Sequence, residues 1–233
     1  MLYDLINYFL VLTVLNVLIP TFFARLLHYN VLWKGRAEGK YVVLTFDDGP
    51  DPLYTERVLD ILDKYQVKAC FFLVGEKVLK YPEVARHIVE KGHEIGVHAF
   101  RHNLRFILNP LVTRAELIKA YNAIKEITGV SPSYARPPWG CFNPFFYREC
   151  KKLGFKVVLW TFMSWDWGKT TAEYIVEKVL SRVKERCILI FHDSGDTPGA
   201  YSSAPEVMIK ALDMILNRLK SDGYSVKSLN EVC

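Results

Sequence analysis

Short apolar runs alternate with amphipathic segments along most of the chain. The apolar runs have the length of β-strands and are bounded by polar or turn-forming residues, so they predict seven strands. The predicted strands are Val42–Phe46, Cys70–Val74, Glu94–His98, Tyr134–Arg136, Lys156–Thr161, Ile188–His192 and Ser225–Leu229.

Helix-start signals lie between several of these runs. Ser or Thr followed three residues later by Glu occurs at Thr113, Thr170 and Ser203, a pattern typical of the first turn of a helix. The last helix is predicted over about residues 204–221, because Gly223 follows it as a C-terminal cap. Alternating strands and helices predict parallel strands with right-handed crossovers. The pattern alone allows a closed barrel or an open doubly wound sheet.

The N-terminal pattern is different. Residues 5–24 include no charged residue in twenty positions, and such a run is long enough to cross a bilayer as a helix. We therefore expect residues 1–39 to form a hydrophobic membrane anchor with a connector, and residues 40–233 to form the functional domain. The alternative is an apolar segment packed on the domain, since polar residues and Pro20 lower the apolarity of the run.

Composition, charge and cysteine spacing restrict the fold class and the kinds of partner and site that the sequence predicts. The 233 residues, 51% of them hydrophobic, suit a single α/β domain. The 30 Lys and Arg residues give a net charge of +5 but form no basic stripe, so charge indicates no nucleic-acid partner. The five cysteines lack a CxxC spacing, which predicts neither a disulfide framework nor a cysteine zinc site. Nothing in the sequence indicates an oligomeric state.

Basic residues bear on the expected side of the membrane. Arg25, Lys34 and Arg36 follow the apolar run, and no basic residue precedes it. The positive-inside rule then favours the cytoplasmic side for the domain.

Chemically competent side chains follow the carboxyl ends of the predicted strands. In parallel sheets these ends gather on one face, where barrels carry their active sites. We therefore expect one pocket to collect side chains that are far apart in sequence. They are Asp47 and Asp48 after the first strand, His98 in the third, Arg136 in the fourth, Asp166 after the fifth and His192 in the sixth.

Two clusters predict a metal site. Of the adjacent Asp47 and Asp48, one can bind a metal while the other acts as a base. His98 and His102 are four residues apart, which would place both imidazoles on one side of a helical turn. With Asp48 they form a set of two imidazoles and one carboxylate, typical of metal-assisted hydrolysis. Zinc is the expected ion, although cobalt, nickel or manganese also suits these ligands. Each cluster taken alone is also compatible with an ordinary turn or a helix surface.

Five short segments follow one another along the chain, namely TFDDGP, HAFRH, RPPWG, SWDW and LIFH. In this order they resemble the five motifs of the NodB-homology polysaccharide deacetylases, the fourth carbohydrate esterase family, over roughly residues 40–232. The resemblance implies an α/β fold, a deformed and incomplete (β/α) barrel of about seven parallel strands. It also implies removal of N-acetyl groups from amino sugars of peptidoglycan or a chitin-like glycan, and a location outside the cytoplasm.

The resemblance also implies roles for individual residues. Asp47 would be the general base, oriented by Arg136, and His192 the general acid, tuned by Asp166. Asp48 and the two histidines of the HAFRH segment would be the metal ligands.

The implied substrate contacts come from three further positions. The backbone N–H of Trp139 would help to bind the oxyanion, while Trp167 and Leu189 would wall the pocket for the acetyl methyl group. Two positions depart from the family pattern, namely Ala99, where Ser or Thr is usual, and Met163, where an acid is usual. An Ala at position 99 is similar to the sequence of the related deformylases of lipid-linked amino-arabinose. The alternative to a polysaccharide substrate is therefore a lipid-linked amino sugar, which the protein would deacylate or deformylate. An alternative from another class is a catalytically silent glycan-binding or membrane-scaffold protein that kept the fold. Binding alone would need neither Asp47 nor His192.

Overall fold

A sheet of seven parallel β-strands forms the centre of the fold. In this computed structural model, which describes residues 2–233, the strands lie in the order β5-β4-β3-β2-β1-β6, with β7 beside the start of β1. They are β1 Tyr41–Asp47, β2 Cys70–Val74, β3 Glu94–Ala99, β4 Tyr134–Ala135, β5 Lys156–Val157, β6 Cys187–His192 and β7 Ser225–Val226.

The sheet curls until its two edges almost meet. Beyond β5 the chain continues alongside β6, where Phe162 pairs with Leu189 and the N–H of Thr161 donates to the carbonyl of Ile188 at 2.9 Å. Every residue of β1, which has β2 on one side and β6 on the other, is buried, as expected when helices cover a parallel sheet. The predicted deformed, incomplete barrel of about seven strands is confirmed.

Helices cover the outside of the barrel. The longest of the C-terminal helices, α10, has the predicted bounds and buries Leu212, Ile215 and Leu219 completely or nearly so. The α-helices are α1 Leu2–Thr13, α2 Ile19–Leu26, α3 Tyr54–Lys64, α4 Gly75–Lys80, α5 Pro82–Glu90, α6 Leu104–Leu108, α7 Pro110–Thr128, α8 Pro144–Leu153, α9 Ala172–Leu180, α10 Ala204–Ser221 and α11 Leu229–Val232, with a π-helix at Val14–Leu18 and a 3-10 turn at Pro138–Gly140.

Several predicted element ends are wrong; the fifth strand, for example, stops at Val157 instead of Thr161. Two of the errors have a local cause. Thr113 lies inside α7, because Asn109 caps that helix by accepting a hydrogen bond from the N–H of Leu111 at 3.0 Å. The seventh strand stops at Val226, since Ser228 and Glu231 form a capping box that begins α11. In both places a local side-chain cap decides the boundary.

The predicted membrane-spanning helix at residues 5–24 is wrong, and so is the membrane association inferred from it. Among residues 2–233, none of the helices combines the length and the apolarity needed to cross a membrane. The apolar run extends across three shorter elements, namely α1 with 12 residues, the π-helix with five and α2 with eight, whereas a spanning helix needs about 20 residues.

Part of the N-terminal segment packs against the rest of the domain instead. Val17 and Ala24 are buried and belong to the main hydrophobic core. The hydroxyl of Thr21 accepts a hydrogen bond from the N–H of Phe142 at 2.8 Å, and the π-helix contacts α6. These contacts correspond to the alternative of a packed apolar segment. The division of the chain at residues 39 and 40 stays a prediction.

Candidate active site

The carboxyl ends of β1, β3 and β6 open into one cavity of about 330 Å³. The barrel topology explains this convergence, because parallel strands direct the loops after them to one face. The predicted site residues that line the cavity are Asp47, Asp48, His98, His102, Trp139, Trp167 and His192. Arg136 and Asp166 lie directly behind them, as described below.

Asp48, His98 and His102 form a cluster in which three ligand atoms lie within 4.8 Å of one another. The Nδ1 of His98 donates to the carbonyl of Arg136 at 2.9 Å, so its Nε2 carries the lone pair. That Nε2 lies 3.4 Å from Asp48 Oδ1, and the Nε2 of His102 lies 3.5 Å from the same oxygen. Asp48 Oδ1 is buried and has no hydrogen-bond partner. A buried, unpartnered carboxylate oxygen beside two imidazole nitrogens fits a divalent metal.

The protonation states suit a metal as well. Burial raises the pKa of Asp48, but its interactions with the nearby imidazoles, that of His98 above all, outweigh burial and hold the pKa well below its ordinary value. Burial lowers the pKa of His102 to about 4, although the Asp48 carboxylate opposes the change. Near neutral pH the cluster therefore offers an ionised carboxylate and a neutral imidazole, the forms that bind metal.

The spacing of the two histidines arises from a strand and a loop, so the predicted helical turn is wrong. His98 belongs to β3, whereas His102 lies in the loop before α6. The chain reverses after His98 at Ala99, which has a φ of 135°, and the two imidazole centroids are 5.3 Å apart. Asp48 and Trp139 also have positive φ values, 78° and 54°. Such conformations cost non-glycine residues about 1–3 kcal/mol each, so backbone strain is concentrated around this cavity.

Asp47 is held by Arg136, a fully buried arginine. Nη1 of Arg136 donates to Asp47 Oδ1 at 2.6 Å and to the hydroxyl of Thr45 at 2.8 Å. Its other nitrogens donate to the carbonyls of Val158 and Leu159 at 3.2 and 2.9 Å. Because all three guanidinium nitrogens donate hydrogen bonds, the Arg136 side chain is fixed in place. It contacts only Oδ1 of Asp47 and leaves Oδ2 available for proton transfer.

His192, which is partly exposed, and Asp166, which is buried, form a second pair of interacting groups. Nδ1 of His192 lies 2.9 Å from Asp166 Oδ1, and the N–H of His192 donates to Asp166 Oδ2 at 2.7 Å. The hydroxyl of Ser164 donates to Asp166 Oδ1 at 2.6 Å. Burial alone would lower the pKa of His192, but the Asp166 carboxylate outweighs it and raises this pKa to about 9. His192 is therefore an imidazolium at neutral pH, able to donate a proton from Nε2.

The apolar wall of the cavity differs from the prediction at one position. Trp139 and Trp167 line the cavity as expected, but Leu189 does not; Ile190 lines it instead. Side chains alternate along a strand, so Ile190 shares the face of His192 while Leu189 points to the other side. The assignment of Leu189 to the pocket wall is corrected to Ile190.

A polar network behind the Asp47–Asp48 segment was not predicted. Lys77 donates to the carbonyl of Asp48 and to the hydroxyl of Ser194, both at 2.8 Å. Asp193 is fully buried and accepts a hydrogen bond from Thr55, and burial raises its pKa to about 7. The available signal was an acid directly after His192 at the end of an apolar strand. The sequence offered no such signal for Lys77, because its partners Asp48 and Ser194 belong to loops that are distant in the sequence.

Comparison with known proteins agrees with this geometry. The family model described as polysaccharide deacetylase matches residues 34–158. A peptidoglycan-N-acetylglucosamine deacetylase of Bacillus cereus is 32% identical over 213 residues, which cover 87% of this chain and 92% of the relative.

Solved structures give the same result. A peptidoglycan N-acetylglucosamine deacetylase in complex with 4-naphthalen-1-yl-N-oxidanyl-benzamide superposes with a TM-score of 0.81 at 30% identity, covering 90% of this chain and 95% of that one. A CE4 family pseudoenzyme from Bacillus anthracis superposes with a TM-score of 0.75 at 27% identity, over 86% of this chain and 67% of that one. Since this fold also occurs in a pseudoenzyme, the fold alone does not imply catalysis, and the site residues have to be considered as well.

Proposed function

The chain belongs to the polysaccharide deacetylase family, and we propose that it hydrolyses the N-acetyl groups of peptidoglycan amino sugars. The observation that carries the proposal is the arrangement of Asp48, His98 and His102 in one cavity with Asp47 and His192. A glycan-binding protein that had lost its activity would need neither of the two proton-transfer groups.

The ligand cluster would hold one divalent cation, with zinc the ion that two imidazoles and one carboxylate suit best. When bound, such an ion acidifies water and polarises the acetamide carbonyl. Asp47 then accepts the proton of the attacking water through the carboxylate oxygen that Arg136 leaves free. His192 donates its proton to the nitrogen of the leaving amine, which prevents expulsion of an amide anion.

The remaining residues bind and orient the acetyl group. The backbone N–H of Trp139 donates a hydrogen bond to the oxygen of the carbonyl as negative charge develops there. Trp167 and Ile190 provide an apolar wall for the methyl group. Such a wall excludes water and limits the size of the acyl group that fits.

Peptidoglycan is favoured over a lipid-linked amino sugar. The relatives described above at 32% and 30% identity are both peptidoglycan N-acetylglucosamine deacetylases. The proposed substrate is therefore N-acetylglucosamine within a polymer, and acetate is the released acid.

A substrate panel tests this proposal. The purified, metal-loaded protein is incubated with peptidoglycan, a chitin oligosaccharide and a lipid-linked N-acylated amino sugar, and both released acid and new free amine are quantified. Asp47→Asn serves as the matched control, because it keeps the shape of the side chain but cannot accept the proton. Acetate and amine in equal amounts from peptidoglycan support the proposal, whereas release from the lipid-linked sugar alone contradicts it.

A further inference from the structure

An arginine at the end of α2 reaches the loop that carries Trp139. Nη2 of Arg25 donates to the carbonyl of Trp139 at 2.9 Å, and its Nε donates to the carbonyl of Gly140 at 3.2 Å. The guanidinium carbon lies 4.6 Å from the ring centroid of Trp160, a residue that lines the cavity. One side chain from the N-terminal segment thus holds two successive carbonyls of the 3-10 turn.

The loop is shaped to receive this side chain. Gly140 has a φ of 60°, and a Cβ at this position would collide with both the Arg25 guanidinium and the Trp160 ring. A larger residue would therefore be strained and would also displace Arg25.

α2 is docked at further points on the same helical face. Thr21 lies one turn before Arg25, and its hydroxyl accepts from the N–H of Phe142 at 2.8 Å. Ala24, next to Arg25, is buried in the core. Residues three and four apart share one side of a helix, so these contacts place Arg25 against the loop.

Trp139 needs support of this kind. Its φ of 54° is unfavourable for a residue with a side chain, and such a conformation persists only when the surroundings hold it. The Trp139 ring packs edge-on against His102 with centroids 4.1 Å apart. Arg25 holds the backbone on the carbonyl side of the same residue.

We propose that Arg25 is a positioning residue, whose guanidinium keeps the Trp139–Gly140 backbone in place so that the N–H of Trp139 stays directed at the oxyanion. Arg25 does not line the cavity, and it therefore acts through the loop without touching substrate. The inference rests on the proposed function, which assigns the oxyanion contact to Trp139.

Kinetics of Arg25→Met and Arg25→Lys test the consequence. The Met variant keeps a long apolar stem over Trp160 but loses both donated hydrogen bonds. Its kcat should fall about 10-fold or more while KM stays within about threefold, because an oxyanion contact is stronger in the transition state than in the ground state. Arg25→Lys restores a donor and should retain more of the kcat. Leu26→Gln is the control, since the neighbouring Leu26 is 58% exposed, and it should leave kcat unchanged.

Hydrogen exchange of the peptide spanning residues 136–143 tests the contact itself, without substrate. Exchange should be faster in Arg25→Met than in the wild type and in Leu26→Gln, with metal content unchanged. If Arg25→Met does not fold, Arg25→Lys is compared by the same two measurements, with an intermediate effect expected. Wild-type kcat or unchanged exchange in the folded Arg25 variant overturns the proposal. Absence of acetate release by the wild type would instead refute the proposed function, while the exchange data would still decide whether Arg25 holds the loop.

Discussion

Replacing Asp166 with Asn tests the proton-donor role of His192. The Asp166 carboxylate raises the pKa of His192 to about 9 against the opposing effect of burial. Compared with an ordinary imidazole at about 6.5, this favours the protonated form by about 3 kcal/mol. Asparagine preserves the shape of the side chain but removes its charge, so this stabilisation of the imidazolium should be largely lost.

The loss of the Asp166 charge should change the alkaline side of the pH profile. A general acid is active while it is protonated, so activity falls as the pH rises through its pKa. In Asp166→Asn the alkaline limb of kcat/KM should move toward lower pH by roughly 2, and the protonated fraction of His192 at pH 7.5 should fall to roughly a quarter. A bound cation lowers this pKa in both proteins, so the displacement between the two profiles is the quantity to compare.

The assay is kcat/KM for acetate release between about pH 6 and pH 10, with metal content measured for each protein. Ser164→Ala is the matched control, because it removes one hydrogen bond to Asp166 but keeps the carboxylate charge, and its alkaline limb should move much less. His192→Ala should cost more activity than Asp166→Asn, and combining the two should cost little further. An alkaline limb that does not move in Asp166→Asn, or fully additive losses in the double variant, would show that Asp166 does not set the pKa of the proton donor.

Three further predictions concern the ligands, the base and the pocket wall. Asp48→Ala should lose bound metal and turnover together, because two remaining protein ligands hold the ion too weakly; a full equivalent of metal in the purified variant would exclude Asp48 as a ligand. Asp47→Asn should keep its metal while kcat falls by roughly 10²-fold or more, and near-normal kcat would exclude it as the base. Ile190→Ala should increase the rate on N-propionyl relative to N-acetyl sugars by about 10-fold, whereas Leu189→Ala should leave that ratio unchanged; equal effects of the two would contradict the observed strand face.

Most of the fold was predictable because the barrel strands are short, continuous apolar runs. The bounds of α10 were predictable as well, since both of its ends carry local signals in Ser203 and Gly223. Interactions between distant segments were not predictable. The pairing of Phe162 with Leu189 that narrows the gap in the barrel is an example.

The site residues also differ in how far the sequence predicted them. Residues at strand ends could be assigned to one face from topology, which brought Asp47, His98 and His192 together. The choice between Leu189 and Ile190 depends on strand parity, where one residue reverses the direction of the side chain. The N-terminal run was misassigned because its apolar composition does not show that the helical stretch becomes a π-helix at Val14–Leu18, between two shorter α-helices. The contacts of Thr21 with Phe142 and of Arg25 with Trp139 join residues that are more than 100 positions apart in the sequence.

A reconstitution experiment tests whether deacetylation depends on a metal ion at the Asp48 cluster. The purified protein is stripped of metal with a chelator, and acetate release from peptidoglycan is followed as zinc is added back. We expect no release without metal and full recovery at about one equivalent, with no recovery in Asp48→Ala. Acetate release by the metal-free protein at the rate of the reconstituted one, or no release after one equivalent of metal has bound, would show that the bound metal does not support the reaction.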